Sequence, residues 1–320
     1  MIARAPKIVM TLLVRDEEDI LESNLRFHHA QGVDFFIVMD HQSCDGTPEI
    51  VRNFCRRGLA ELVNQPDPGY RQAEWVTWMA RRAALEYGAD WVINNDADEF
   101  WWPSEGTLRT TLAKIPARYA ALYAPRFNFY SEEEPISTTL RSRAKQTLGR
   151  LRQLMNRSDL ASNENRVLLG SSDFFEIMTL RDVSSVNSLG YPLPGKMCHR
   201  AHPDVEVAMG NHSVSFPDPP EICAHPLIEV LHFPVRSVTQ FCHKIAVGGA
   251  ALQNSPEVLG GETWRALFSR QNGQSASRYF RSTRLTKRKI EQMLATGRLR
   301  QDTRLRDFLR GGGDGKPHVG

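Results

Sequence analysis

Between Lys7 and Asn95, four short apolar runs alternate with three stretches of helical periodicity, and this alternation constrains the fold more than any other feature. Strands separated by helices must pair by crossover, which favours a mostly parallel sheet with helices on its faces. The runs are Lys7 to Val14, Asp34 to Asp40, Leu59 to Val63 and Asp90 to Asn95. The second, DFFIVMD, is apolar without alternation, as a strand covered on both sides should be. Asp16, Glu17, Glu18 and Asp19 crowd one turn, as suits a helix N-terminus, and Ile20, Leu21, Leu25 and His28 form an inward face up to Gly32. Thr47-Pro48 has the form of an N-cap followed by proline at the first helical position, opening a helix that ends near Gly58. Ala73, Val76, Ala80, Ala83, Ala84 and Tyr87 recur at helical spacing, with Gly88 as the stop.

Beyond residue 125 the pattern is harder to read. Leu140 to Leu160 is basic and Arg/Ser-rich, a helix with loose flanks or an inserted flap, and residues 166–235 suggest short strands and proline-rich loops. Thr286 to Leu309 reads as a heavily basic helix, followed by a disordered glycine-rich tail. Residues 278–320 hold 12 Lys/Arg against 4 Asp/Glu, and the rest 28 against 33, so a mildly acidic body carries a basic tail. Arginines fall on all sides of that helix with no aromatic ladder, which argues for a solvated helix with at most peripheral membrane contact, and against nucleic acid. No run of 18 or more residues is free of charge, and the N-terminus has no small-residue cleavage site. A cytoplasmic protein is expected. Cys44, Cys55, Cys198, Cys223 and Cys242 form no C-x-x-C pair and read as reduced thiols.

The chemistry is concentrated at strand ends. Asp96 and Asp98, in Asn95-Asp96-Ala97-Asp98-Glu99-Phe100, are two carboxylates one residue apart at the end of a hydrophobic strand. They can direct oxygen ligands into one crevice, as a hard cation bridging a diphosphate requires. Alone, such a pair is more readily a solvated turn capping the following helix. Context reverses that preference, because Asp40-His41-Gln42-Ser43-Cys44-Asp45-Gly46-Thr47 stands at the end of another strand, and ligands bind at that edge of open parallel sheets.

These segments resemble the family 2 glycosyltransferases, whose second strand ends in D-x-x-S-x-D-G-T. Val14-Arg15-Asp16-Glu17-Glu18 is similar to that family's N-E-E segment, and Asp90 to Phe100 to the "adW…lDaDEF" segment of a bacterial subgroup, with Asn95 where Asp is usual. Leu231-His232-Phe233-Pro234-Val235-Arg236-Ser237, followed by Phe241 and Lys244, is similar to the subgroup's closing segment, and Lys196 to Arg200 with His212 to the stretch before it. The resemblance implies a GT-A fold of α/β type over residues 1–250, with a nucleotide-binding half (1–125), an acceptor-binding half (126–250), a helical extension (251–310) and a tail (311–320).

It further implies a nucleotide-sugar donor, a UDP-sugar by resemblance alone, and transfer to a glycan or glycoconjugate hydroxyl, inverting by direct displacement and serving polysaccharide biosynthesis. Asp40 would contact the nucleobase, Arg15, Asp16 and Glu17 line the nucleotide pocket, and Asp45 brace the loop. Asp96 and Asp98 would hold Mn²⁺ or Mg²⁺, with His212 or His232 completing the shell. Arg71, Lys196, Arg200, Arg236 and Lys244 are candidates to stabilise the departing diphosphate, Lys196 and Arg236 foremost because they fall in the family-like segments. Asp173 and Glu176 are the candidate bases for the acceptor hydroxyl. Of the adjacent pair Trp101-Trp102, one could stack on a sugar, since both cannot point inward on a strand. Two alternatives remain: a nucleotidyltransferase, disfavoured because the first-strand exit is acidic instead of glycine-rich and basic, and a non-catalytic carbohydrate-binding scaffold.

Overall fold

The computed structural model describes residues 4–130, 174–184, 193–258, 262–269, 278–280 and 285–311. The basic stretch of residues 140–160, Asp173 and the tail from residue 312 lie outside the described residues.

In chain order the strands and helices are β1 (Ile8–Val14), α1 (Leu21–Ala30), β2 (Phe35–Asp40), α2 (Thr47–Arg56), β3 (Ala60–Asn64), α3 (Gln72–Leu85), β4 (Trp91–Asn95), β5 (Glu99–Pro103), α4 (Leu108–Ala113), β6 (Tyr119–Ala124) and β7 (Arg126–Tyr130). They continue with α5 (Phe174–Ile177), β8 (Leu180–Asp182), β9 (Lys196–Arg200), β10 (Glu206–Val207), β11 (Val214–Ser215), β12 (Glu221–Cys223) and β13 (Ile228–His232). The last are α6 (Val238–Gln253), α7 (Glu262–Ser269), α8 (Lys287–Ala295), β14 (Leu299–Gln301) and α9 (Arg304–Arg310).

Because β1 is apolar on both faces, layers must cover it above and below. On one side Ile8, Met10, Leu12, Phe36 and Val38 pack with Leu25 and Phe27 of α1 and Val51 and Phe54 of α2. On the other, Val9, Ile37, Met39 and Val92 meet Trp75, Val76, Met79, Ala80 and Ala83 of α3. The result is the expected helix-flanked α/β sheet, in the order β12-β6-β9-β4-β1-β2-β3. Strands β3, β2, β1 and β4 are mutually parallel, and β9 runs antiparallel between β4 and β6. A second sheet, β14-β8-β7-β13-β5, begins directly after the acidic turn, where β5 pairs antiparallel with β13.

Several local expectations need correction. The cap of α2 is Gly46, not Thr47: Thr47 is the first helical residue, its N–H donating to Asp45 Oδ1 (2.9 Å) and its hydroxyl accepting from the Glu17 N–H (2.8 Å). The basic segment 286–309 is not one helix but α8, strand β14 and α9. Leu299 leads β14 into the sheet against β8, so tertiary pairing overrides local helical propensity. Within this segment Arg298 pairs with Asp182 and Arg304 with Asp302 and Glu229, the following Arg310 pairs with Glu176, and Lys287, Arg288, Lys289 and Arg300 are exposed. No helix among the described residues is long and apolar enough to cross a membrane.

Candidate active site

Parallel register brings three strand exits to one edge. β1 aligns Val14 with Asp40 of β2 and Leu12 with Asn95 of β4, so Arg15-Asp16-Glu17, His41 and Asp96-Ala97-Asp98 emerge side by side. Beside them lies a cavity of about 520 Å³, within the ligand-pocket range of about 300–1,000 Å³. The strand exits form one wall, and α6 with Trp264 and Tyr279 forms the opposite one.

The backbone around this edge is strained. Asp16 (φ 54°), Gln42 (φ 60°) and Asn211 (φ 59°) are the non-glycine residues in the left-handed region among the described residues. Hydrogen bonds hold them there. The Asp16 N–H donates to Ser43 Oγ (2.9 Å), and the Cys44 N–H and His243 Nε2 donate to the Asp16 carboxylate at 2.6 and 2.7 Å. Gln42 Nε2 donates to the Pro66 carbonyl (2.7 Å).

The acidic turn itself is fixed from below by a buried amide network. Asn24 Nδ2 donates to the Ala97 and Glu99 carbonyls (2.9 and 2.8 Å). Asn95 Nδ2 donates to Asn24 Oδ1 (3.2 Å), and Asn95 Oδ1 accepts from the Trp101 indole (2.9 Å). Here lies the reason for Asn at position 95: a carboxylate there would offer no donor to Asn24. Neither tryptophan after the turn is free for a sugar, since Trp101 is in the core and Trp102 packs against Phe27 and Phe308.

The two carboxylates of the motif are not equivalent. Asp96 is taken up by its own chain, Oδ2 accepting from Lys196 Nζ (2.6 Å) and Oδ1 from Asn211 Nδ2 (3.3 Å). Lys196, 1% exposed, also lies 3.1 Å from Glu99, which pairs with Arg126 at 3.2 Å. Burial opposes the charge on Lys196, yet Asp96 and Glu99 hold its pKa above the ordinary ammonium value. Burial dominates at Glu99, pushing it up to about 7. Asp98 accepts from Lys244 Nζ at Oδ2 (3.1 Å), while its Oδ1 faces His232 Nε2 across 3.7 Å. Burial would raise the Asp98 carboxyl, but the Lys244 ammonium and the Arg236 guanidinium hold it well below the usual carboxylate range.

His232 Nδ1 bonds Asn128 Oδ1 (2.7 Å), which assigns the ring proton to Nδ1 and leaves Nε2 as a bare acceptor. Burial keeps this imidazole neutral. A lone pair and a carboxylate oxygen thus confront each other, an arrangement that a cation between them relieves. Asp98 and His232 therefore fit a divalent ion as two protein ligands. No group of three or more His, Cys, Asp or Glu suited to a metal occurs among the described residues, so any ion here would have these two as its protein ligands and open positions besides. His212 also lines the cavity and is neutral, its pKa lowered to about 4 by burial and Lys196; its Nδ1 bonds the Gly195 carbonyl (2.8 Å).

Other expected residues are placed differently. Asp40 is buried behind His41 and does not itself line the cavity; its Oδ2 accepts from the Ser43 N–H (3.2 Å) and its Oδ1 lacks a hydrogen-bond partner among the described residues. Arg15 lines the cavity, and its buried Nε is likewise without such a partner. Arg71 turns outward to Asp67 (2.9 Å) and does not line the cavity. Arg236 is buried against Glu17 and Asp19 (2.7 Å to the latter), so it braces the first-strand exit and is not open to a ligand. Arg200 lies over Trp91 and donates to the Tyr119 carbonyl. Glu176 is exposed on α5, pairs with Arg310 and does not line the cavity.

The model of glycosyltransferase family 92 matches residues 11–216, which includes all three strand exits. The chain belongs to glycosyltransferase family 92. It is therefore a glycosyltransferase, though of another family than the one its strand-end motifs resemble. No curated protein matches this glycosyltransferase. Among solved structures it is similar to Staphylococcus aureus TarS 1–349 in complex with UDP, at 15% identity and TM-score 0.31 over 40% of this chain and 37% of that one. The match thus spans little more than a third of that protein. It is similar also to the mannosyltransferase PcManGT of Pyrobaculum calidifontis with GDP-Man and Mn²⁺, at 14% identity, TM-score 0.34 and 92% and 80% coverage. The glucosyl-3-phosphoglycerate synthase of Mycobacterium tuberculosis, with Mn²⁺, UDP and glucosyl-3-phosphoglycerate, matches at 20% identity, TM-score 0.26 and 46% and 51% coverage.

Proposed function

We propose that this family 92 glycosyltransferase has a GT-A fold and binds a nucleotide-sugar donor, a UDP-sugar, in the cavity at the strand exits. The sugar passes to a hydroxyl of a glycan or glycoconjugate by direct, inverting displacement, in polysaccharide biosynthesis. The observation that carries the donor site is the Asp98–His232 pair, a strongly ionised carboxylate facing a neutral imidazole acceptor across 3.7 Å. Mn²⁺ or Mg²⁺ held there would neutralise the charge that gathers on the departing diphosphate. His232 is the imidazole ligand in this reading, and His212, bonded to Gly195, shapes the wall beside Asp96.

This chain's own residues do the rest. The unpartnered Oδ1 of Asp40 accepts from the nucleobase, since a buried carboxylate oxygen without a donor is costly until a ligand supplies one. Arg15 meets the phosphates or ribose. Asp96, fixed by Lys196 and Asn211, holds the turn so that Asp98 keeps its orientation. Asp173, outside the described residues, and Glu176 are the candidate bases for the acceptor hydroxyl, and Glu176 would have to leave Arg310 to act. Residues 1–125 would then serve the nucleotide and 126–250 the acceptor, with α6 closing that second half beside the donor, and 251–310 would form a helical extension.

Calorimetric titration of UDP, GDP and ADP with Mn²⁺ and then with EDTA tests the reading, repeated on Asp98→Ala. Metal-dependent binding of one nucleotide, lost in the variant, is expected. Equal binding by the variant, or no nucleotide binding under any metal condition, would overturn the donor site.

A further inference from the structure

Helix α6 crosses the donor edge and carries a second positive charge to Asp98. Lys244 Nζ lies 3.1 Å from Asp98 Oδ2 and 3.2 Å from Glu17 Oε1. Nearby Arg236 has a guanidinium 1% exposed and locked onto Glu17 and Asp19, whereas the Lys244 side chain is 28% exposed and lines the cavity. The two cations differ in kind. Arg236 is a planar fork committed to two carboxylates, and Lys244 is a point charge on a flexible stem with open space beside it.

A buried carboxylate needs a positive partner, and in the ligand-free chain Lys244 supplies it to Asp98. A divalent ion between Asp98 and His232 would sit beside that ammonium, and the two positive charges would repel. A diphosphate arriving with the ion gives the ammonium an anion to turn to. The adjacent His243–Asp16 contact keeps α6 in place while the lysine stem moves.

Building on the donor site proposed above, we infer that Lys244 is an exchangeable counter-ion. It holds Asp98 when the site is free and passes to the donor diphosphate when nucleotide and metal bind together. The consequence is coupling: metal alone binds poorly because it must displace a resident charge, and nucleotide strengthens metal binding by removing that charge from Asp98. Lys244 thereby makes the site selective for the metal–nucleotide complex over the free ion.

The test measures Mn²⁺ binding by the resonance signal of free aqueous Mn²⁺, with and without UDP, in the wild type, Lys244→Met, Lys244→Gln and Lys244→Arg. Without UDP, the two neutral variants should bind Mn²⁺ at least about tenfold more tightly than the wild type, and Lys244→Arg should resemble it. With UDP the order should reverse, the neutral variants binding about tenfold more weakly. Two neutral variants guard against one that fails to fold, as judged by its melting curve. Unchanged or weaker Mn²⁺ binding by the folded neutral variants without UDP would overturn the counter-ion role while leaving the donor site standing. A wild type that binds no Mn²⁺ even with UDP would remove both.

Discussion

Asn24 should be as important to the acidic turn as the aspartates that the turn displays. The residue is fully buried. Its Nδ2 donates to the Ala97 and Glu99 carbonyls (2.9 and 2.8 Å), and its Oδ1 accepts from Asn95 Nδ2 and bonds His28 Nδ1 (3.2 and 2.9 Å). In Asn24→Ala the Ala97 carbonyl loses its amide donor and Asn95 loses one acceptor, while Glu99 keeps the Asn95 amide at 3.2 Å. At about 1 kcal/mol for each lost bond and about 1–3 kcal/mol for a buried group left unpaired, the variant should lose about 2–4 kcal/mol. Asn24→Asp keeps the shape but sets a carboxylate against two carbonyl oxygens, so it should lose more than alanine does, about 3–5 kcal/mol. Its carboxyl pKa would be raised in the fold, so the folded state would bind the extra proton. The deficit relative to wild type should therefore shrink as pH falls through that raised value. Urea unfolding at pH 7.5 and 5.5, with UDP–Mn²⁺ affinity measured alongside, reads both effects, because a loosened turn also misplaces Asp98. If Asn24→Asp matches the wild type in unfolding midpoint and affinity at pH 7.5, the amide is not what holds the turn.

Acid should destabilise the fold steeply. Burial lowers His28 to about 3 and His199 to about 4, and burial with Lys196 lowers His212 to about 4, so these rings stay neutral when folded but protonate near 6.5 when unfolded. Their stabilisation is present above pH 6.5 and is lost as pH falls toward 4, at about 1.4 kcal/mol per pH unit for each ring. Glu99, raised from 4.5 to about 7, acts in the opposite sense between those values, as do Glu17, Asp40 and Asp45, whose carboxyls burial also raises, whereas His41 and His232, lowered by burial, act with the three rings. Unfolding midpoints flat from pH 7 to 4.5 would contradict this. Arg236→Met leaves Glu17 and Asp19 buried without their main cation and should cost about 3–5 kcal/mol, seen as a large fall in melting temperature; a melt like the wild type's would show the network to be dispensable. Glu176→Ala, at an exposed ion pair, should shift stability by no more than about 0.5 kcal/mol and leave transfer unchanged if Asp173 is the base, and a loss of turnover would place Glu176 in the reaction.

What could be read from the sequence follows from where each contact originates. The exits at Arg15, His41 and Asp96 were legible because strand alternation and parallel pairing are local rules, and the rule that ligands bind at the carboxyl edge then brings the three together. The unequal roles of Asp96 and Asp98 were not legible, since they depend on β9 entering antiparallel beside β4 with Lys196, and on β13 lying against β5 so that His232 falls opposite Glu99. No spacing in one chain encodes such a register. The wall built by α6 had only the residues Phe241 and Lys244 as its signal, and nothing marked His243 as a partner of Asp16. The positions of Trp101 and Glu176 were hidden for a related reason: nearness to a motif in sequence says nothing of where a side chain points, which pleat and packing decide. Trp101 belongs to the core face of β5, and Glu176 to a short helix that faces Arg310. The same long-range registry makes Lys244 informative. It reaches Asp98 across 146 residues of chain, and the contact means something only because the local rules had already brought Asp98 to that edge.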